Sequence, residues 1–456
     1  MTSPFVDRVL VLGGSAAGLF TAGALAPVAR EIVLVERDRL PVDTSHRKGT
    51  PQSRHANNLL PRANALLERW FPGIVDELVS RGAVLAGANS RLVVNGHRLA
   101  RTAGSVTPSL LMTRPLLDET LRRRVRALPN VTFLDGHHVV GLLVDRTTRA
   151  VGGARVRPTE DRRPERDLRA NVVVDAMGRG SRASGWLSAD GWAPPSALEL
   201  RVGVRYVTRF FSRTPGDAAG DKLLIVTPTA QVPRGAVAFA VEGDRWLVTA
   251  YAYGGTSPPM DVPDFRAFLG SLVAPDIADS IAHREPLGDA AAFHYPVVRV
   301  RRFDALPAPP AGFVALGDAL ANLSPSYGQG MTSAALQVDA LARSLGAIPR
   351  LPPEAPLDSA SVRRFYRAAV AAASGLFDFG WSSDSSLPGF DGPRDPTPAP
   401  IRWYVRRAMR VATRDPFVAD RVRRVAGALA TPASLLAPRV AWRVLRPGAE
   451  RAESAR

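Results

Sequence analysis

Apolar and polar positions alternate in two different ways along this chain. From Arg8 to Leu12 the residues are mostly apolar and run into glycines; a helix-like stretch follows, and a second apolar run, Ile32 to Val35, ends on Glu36. Short runs that are apolar on both faces, separated by a helical stretch, predict parallel strands buried in an α/β sheet. A polar segment, RDRLPVDTSHRKGTPQSRHANNLL, comes next, without a clear period and too long for a simple turn, which marks a functional connection. Leu59 to Trp70 reads as a helix. Arg91 to Arg101 reads as a hairpin around Asn95-Gly96, and Leu110 to Thr113 as a short strand. Arg114 to Leu128 reads as a helix with Pro115 in its first turn and arginines in its last. Val131–Leu134 and Val139–Val144 alternate as strands, and Ala150–Pro158 and Leu168–Val174 frame a polar hairpin tip. From about Glu199 the pattern becomes that of a β-meander: Leu200–Phe211, Leu223–Pro228, Ala236–Val241 and Arg245–Tyr253, with turn residues between them. Short helices are predicted at Asp264–Leu272 and Asp276–His283, and a long strand at Ala290–Arg301. The buried-strand pattern then returns at Gly312–Leu316, ahead of an Ala-rich helix to about Leu345. A long helix over 361–380, a Pro/Gly/Asp-rich connector and a basic amphipathic helical region, Ile401 to about Leu445, complete the chain.

The length of 456 residues is too great for one small core and predicts two interlocked domains. There is no cysteine, so no disulfide or thiolate chemistry arises. A net charge of +17 would ordinarily point toward nucleic acid. Here the charge is nearly all arginine, since Lys48 and Lys222 are the only lysines, and it is scattered. No nucleic-acid partner is expected; an anionic carrier or membrane surface could still be attracted. No apolar run reaches the roughly 18 residues of a membrane span, and no signal-peptide pattern opens the sequence, so a cytoplasmic protein without a transmembrane segment is expected.

Three glycine-bearing turns carry the chemistry. In the first, Gly13, Gly14, Ser15, Ala16, Ala17 and Gly18 join the first strand to its helix. Gly13 permits the tight turn, Ser15 stands where a second glycine is usual, and Gly18 lets helix pack on strand. The helix N-terminus then offers amides to a pyrophosphate, and Glu36 offers a carboxylate to ribose hydroxyls. An acid there disfavours a 2′-phosphate, so FAD or NAD fits better than NADP. The second turn is Asp175-Ala176-Met177-Gly178-Arg179-Gly180. The third combines Gly317-Asp318-Ala319 with Pro325-Ser326-Tyr327-Gly328-Gln329-Gly330-Met331, opening the Ala-rich helix. In the polar loop, Arg47 and Arg54 could pair with phosphate, while Gln52 and His55 could face a ring system.

Together these motifs resemble the FAD-dependent monooxygenases of the hydroxybenzoate-hydroxylase fold, over about residues 5 to 345. More narrowly, RKGTPQSRH and SPSYGQGM look like the squalene-epoxidase-like enzymes of polyether biosynthesis. The resemblance implies an α/β (α+β) architecture: a Rossmann-like FAD-binding domain interlaced with a mainly antiparallel β-sheet substrate domain and a C-terminal helical region. The FAD-binding parts would be residues 1–90, 113–185 and 301–350, the substrate parts 91–112 and 186–300, and the helical region 351–456. It implies that Gly13 to Gly18, Glu36 and Arg37 hold the ADP half. Arg47, Lys48, Gln52, Arg114, Val139, Asp175 and Gly178 would also contact FAD, with Gly317 and Asp318 at the ribityl or pyrophosphate. Pro325 and Gly328 to Met331 would lie against the isoalloxazine. The implied reaction is insertion of one oxygen atom from O2, carried by the reduced flavin, into an apolar, possibly carrier-bound natural product. Alkene epoxidation in a polyketide or terpenoid comes first; aromatic hydroxylation, or flavin-dependent reduction of an isoprenoid-like substrate, are the alternatives. Electrons would come from NAD(P)H or from a partner flavin reductase; DAMGRG in place of the aromatic hydroxylases' DG motif leaves both open. No triad or metal set stands out, so the flavin itself would do the chemistry. His55, Phe239, Trp246, Tyr251, Phe293 and Tyr295 are the candidates for a substrate pocket.

Overall fold

The computed structural model describes residues 5–101, 107–160 and 164–446. The continuously apolar runs, with the alternating Val131–Asp135 at one edge, form a five-stranded parallel sheet. Its order is Phe313–Ala315, Val172–Asp175, Val6–Leu12, Ala29–Glu36 and Val131–Asp135. Val9 to Leu12 lie fully buried between layers, which is why the run does not alternate. The helix Ala16–Leu25 crosses from the first strand to the second, and Gly330–Gly346 packs beside it. A three-stranded antiparallel sheet, Arg166–Arg169, Ala150–Pro158 and His137–Asp145, leans on the parallel one.

The meander residues build an eight-stranded sheet. Its order is Ala321–Asn322, Pro286–Arg301, Ala197–Ser212, Arg245–Ala252, Arg234–Val241, Leu223–Val226, Ser90–Val94 and His97–Arg98. The hairpin at Asn95-Gly96 thus joins this second sheet, although more than a hundred residues separate it from its parallel neighbour, Leu223–Val226. One face buries Val207, Phe211, Leu224, Ala238, Trp246, Val248 and Ala250 against the helices Val262–Gly270 and Asp276–Ile281. The opposite face is turned toward the parallel sheet and floors the cavity described below.

Several expectations change in detail. The predicted strand Leu168–Val174 is two strands in two sheets, Arg166–Arg169 and Val172–Asp175. The chain crosses between them at Asn171, whose amide and side chain both bind the backbone of Arg8. Part of the polar tip between Pro158 and Arg166 lies outside the described residues. The first short helix begins earlier, at Val262, because Asp261 caps it by accepting the Asp264 N–H at 2.9 Å. The long helix runs Ser359–Asp384, four residues past its expected end. The C-terminal region forms three α-helices, Ala399–Val411, Pro416–Ala426 and Pro438–Leu445. They pack a small core of their own against Leu99, Leu92 and Val94 of the hairpin, and Ala100 donates its N–H to Ala412 O at 2.9 Å. The amphipathic pattern is therefore used on the edge of the second sheet.

Candidate flavin and substrate site

All three glycine turns open onto one cavity. Gly13, Gly178 and Gly328 line the same space, with Ser15, Ala16, Ala17, Met177, Gly317, Asp318, Pro325, Gln329, Gly330 and Met331. Its volume is about 2180 Å³. Sites for one drug-sized ligand run to about 300–1000 Å³, so this space has room for a large cofactor and a second molecule beside it.

Each turn has a backbone reason for its glycine. Gly13 has φ +112°, and a Cβ on it would come within 2.5 Å of the Ala176 carbonyl oxygen. A Cβ on Gly18 would collide with the carbonyl oxygen of Gly13, because the helix is seated directly on the turn. Gly178 differs: its φ is +74°, but a Cβ there would enter open space, on the cavity side.

The donor set fits an anionic dinucleotide. The helices Ala16–Leu25 and Gly330–Gly346 both begin at the cavity wall, and neither N-terminus is capped by its own side chain. Their first amides are therefore available to phosphate or to a flavin ring edge. The Ser15 hydroxyl accepts instead from Arg114 Nη2 at 3.0 Å, while Arg114 Nε binds Asp118 Oδ1 at 2.6 Å. The serine at the usual glycine position thus holds a buried guanidinium beside the helix N-terminus. Ser15→Ala should weaken FAD binding roughly 5-fold, the size of one lost hydrogen bond of about 1 kcal/mol. Flavin titration of the apoprotein measures it, and the apoprotein's denaturation midpoint reports separately what the lost Ser15–Arg114 bond costs the fold.

Not every candidate reaches the cavity. Glu36 and Arg37 line it, but the Glu36 carboxylate also accepts the Gly14 N–H at 2.8 Å and the Asp38 N–H at 3.0 Å. Arg47 lies behind the loop, 3.3 Å from Glu36 Oε2 and 3.5 Å from Asp38 Oδ2, and donates to Gly14 O. It braces the glycine turn from beneath and takes no place in the cavity wall. Gly14 and Gly18 are likewise structural parts of the turn. Lys48 is exposed and outside the wall. Asp175 is buried beneath its turn, where its carboxylate accepts the Met177 N–H and the Ser181 hydroxyl. Burial pushes its acid up to about 6. Asp318, half-buried on the wall, is raised by loss of water around it, against the pull of Arg179 and Arg114. Gln52, Arg114 and Val139 line the cavity.

The sheet floor supplies the second part. Phe239, Tyr251, Phe293 and Tyr295 line the cavity, and His55 reaches over them from the polar loop. Trp246 does not: it is buried on the opposite face, where its Nε1 donates to Asp217 Oδ2 at 3.2 Å. Side chains alternate along a strand, so Trp246 and Tyr251, five residues apart, cannot share a face of regular strand Arg245–Ala252. Sequence reasoning missed Tyr206, which pairs in register with both Tyr251 and Phe293 and stacks with Phe293 at 6.0 Å between centroids, 13° from parallel. Arg179, exposed into the cavity, lies 4.6 Å from the Tyr295 ring and 5.5 Å from that of Phe293. Asp384 was missed too. It is buried and accepts from Tyr327 OH at 2.7 Å and Tyr253 OH at 3.0 Å, and Tyr253 OH meets Ser326 Oγ at 2.6 Å. This cluster clamps the Pro325–Gly328 turn: Ser326 and Tyr327 line the cavity, and Tyr253 and Asp384 hold them from behind.

Known proteins agree with this architecture. The chain is 29% identical to Protein Rv3254 of Mycobacterium tuberculosis over 426 residues, 88% of this chain and 89% of that one. It superposes on the flavin-dependent brominase Bmp2 with a TM-score of 0.62 at 13% identity, over 94% of this chain and 95% of the other. The p-nitrophenol 4-monooxygenase PnpA of Pseudomonas putida DLL-E4 gives 0.60 at 17% identity, over 92% and 97%. The chain has the fold of the FAD-dependent monooxygenases. No family pattern matches the sequence. Among the described residues no helix is long and apolar enough to cross a membrane.

Proposed function

We propose that this chain is an FAD-dependent monooxygenase that places one oxygen atom from O2 on a small organic substrate held against the second sheet. One observation carries the reading: two uncapped helix N-termini and three glycine turns face a single cavity that has room for flavin and substrate together. Bound FAD would supply oxygen activation, chemistry that side chains cannot supply alone. The amides of residues 15–17 and 329–331 and the Arg114 guanidinium would hold its phosphates and ring edge, and Glu36 its ribose. The aromatic floor would orient the acceptor carbon, and the loop carrying His55 would keep water from it.

The finer reading suggested by the resemblance is epoxidation of an alkene in an apolar polyketide or terpenoid, which needs no protein acid or base. Aromatic hydroxylation is the second reading, and the near-parallel pair Tyr206 and Phe293 favours it, because such a slab suits a planar ring. Reduced cofactor would come from NAD(P)H directly or through a partner reductase. The test is single-turnover reaction of the photoreduced holoprotein with ¹⁸O2 and, separately, a polyene and a phenol. One ¹⁸O atom in the product is expected; product carrying none, or protein that takes up no FAD, overturns the reading.

A further inference from the structure

His55 sits where the polar loop meets the floor, 5.5 Å from the Tyr206 ring and 5.6 Å from that of Phe293 between centroids. Its Nδ1 is 2.8 Å from Thr208 Oγ1, Thr208 Oγ1 is 2.7 Å from Thr249 Oγ1, and Thr249 Oγ1 receives the N–H of Ala56 at 3.1 Å. The last link has one possible direction, since a backbone amide can only donate. With Thr249 accepting there, the arrangement that gives both threonine hydroxyl protons a partner is a one-way chain. Ala56 N–H donates to Thr249, the Thr249 hydroxyl to Thr208, and the Thr208 hydroxyl to His55 Nδ1. An imidazole that accepts at Nδ1 carries its proton on Nε2.

The surroundings keep that ring neutral. His55 is buried, and the charged or titratable neighbours that act on it, Arg54 and His46, both oppose a second positive charge; burial is the larger effect, and its acid is pushed down to about 4. Across the floor, Arg179 lies over Phe293 and adds another cation. Tyr206, its ring neighbour, keeps its phenol protonated because burial raises it far above the ordinary range. Among the described residues no carboxylate is bonded to the ring. His55 lines the cavity, and its Nδ1 is occupied by Thr208.

We infer that His55 is a fixed, uncharged hydrogen-bond donor of the substrate pocket, its Nε2–H set by the relay from Ala56 through Thr249 and Thr208, and that it selects substrates bearing an acceptor oxygen, of the ketone, enone or quinone class. This rests on the monooxygenase reading of the cavity and deepens it: a plain hydrocarbon would leave that buried N–H unpaired. Sites built to hydrogen-bond a substrate discriminate strongly against analogues that lack the group, because the site's own polar atom is then stranded. Thr208 and Thr249 act through His55 and are positioning residues.

The test uses the FAD-loaded full chain, labelled with ¹⁵N-histidine, with Nε2 and Nδ1 of His55 assigned by comparison with His55→Gln. Long-range ¹H–¹⁵N correlation should show Nε2 protonated and Nδ1 free of a proton, unchanged from about pH 5.5 to 8, a range in which an ordinary imidazole titrates; Thr208→Val should release the ring into a mixture of tautomers. A proton on Nδ1, or a charged ring in that range, overturns the assignment. The probes for selectivity are 2-acetonaphthone and 2-ethylnaphthalene, alike in shape but only one carrying an acceptor oxygen, read by perturbation of the flavin absorbance. The ketone should bind about 10-fold more tightly to the wild type. His55→Leu should abolish that preference and His55→Gln, which keeps a donor, should preserve part of it. Equal binding of the two probes, binding of neither, or a preference that survives His55→Leu overturns the selectivity. Failure to load FAD would instead count against the monooxygenase reading, so the two failures are told apart.

Discussion

Gly18→Ala will destabilise the protein by about 3 kcal/mol or more and lower its affinity for FAD by roughly 100-fold. Inserting one carbon into a packed core costs typically about 1–3 kcal/mol when neighbouring side chains can give way. Here the obstacle is the carbonyl oxygen of Gly13, part of a turn that Arg47 and Glu36 already hold from beneath. The helix must lift off the turn, and the amides it presents to the cavity move with it. Gly178→Ala makes the useful contrast. Its Cβ meets nothing, so its cost is the left-handed backbone alone, about 1–2 kcal/mol. Urea unfolding of the apoproteins gives the stability terms, and flavin fluorescence on titration gives the affinities. Equal effects of the two substitutions would mean that the helix is not seated on Gly13 as described.

Asp384→Asn should remove a pH-dependent loss of stability worth roughly 3 kcal/mol. Burial, opposed by hydrogen bonds from Tyr327 and Tyr253, raises the Asp384 acid from 3.8 to about 6. A group that binds its proton more tightly in the folded state stabilises fully below its unfolded value. That contribution is lost as pH rises from 3.8 through about 6, and each pH unit between those two values removes about 1.4 kcal/mol. Asparagine keeps an oxygen for the two phenols and cannot ionise, so the variant should lose this part of the slope and be the more stable protein at neutral pH. Asp175 has a raised acid of its own, so the wild type and Asp384→Asn should both retain the slope that belongs to it. Denaturation midpoints taken at intervals from about pH 4 to 7 measure the difference. A variant that is less stable than wild type at neutral pH would show that the charge itself is needed to clamp the Pro325–Gly328 turn.

Much of the fold was legible because it is written in short-range patterns. The continuously apolar runs marked the parallel sheet, since strands covered on both faces have no polar side to show. The meander strands were marked by their turns, and Asn95-Gly96 by the two residues that best accept its backbone. Alternation within Arg245–Ala252 also holds the information that Trp246 and Tyr251 face opposite ways. Aromatic character alone does not carry it; only the position along the strand does. Asp384 lay just past the expected end of its helix, in a run of serines that gives no apolar period to follow.

The sequence by itself determined the glycine turns, because their need is local: a positive φ favours glycine at Gly13 and Gly178, and close backbone approaches at Gly13 and Gly18 leave no room for a side chain. The tertiary structure alone decided what those turns face and which polar groups work together. Arg47, expected at a phosphate, is drawn beneath its loop by two carboxylates. Thr208 and Thr249, on neighbouring strands of the second sheet, reach the His55-Ala56 segment from more than a hundred residues away, and a hydrogen bond over that separation has no periodicity to announce it. Side-chain direction and partnership are set by which strands lie side by side, and that is settled by packing of the whole chain.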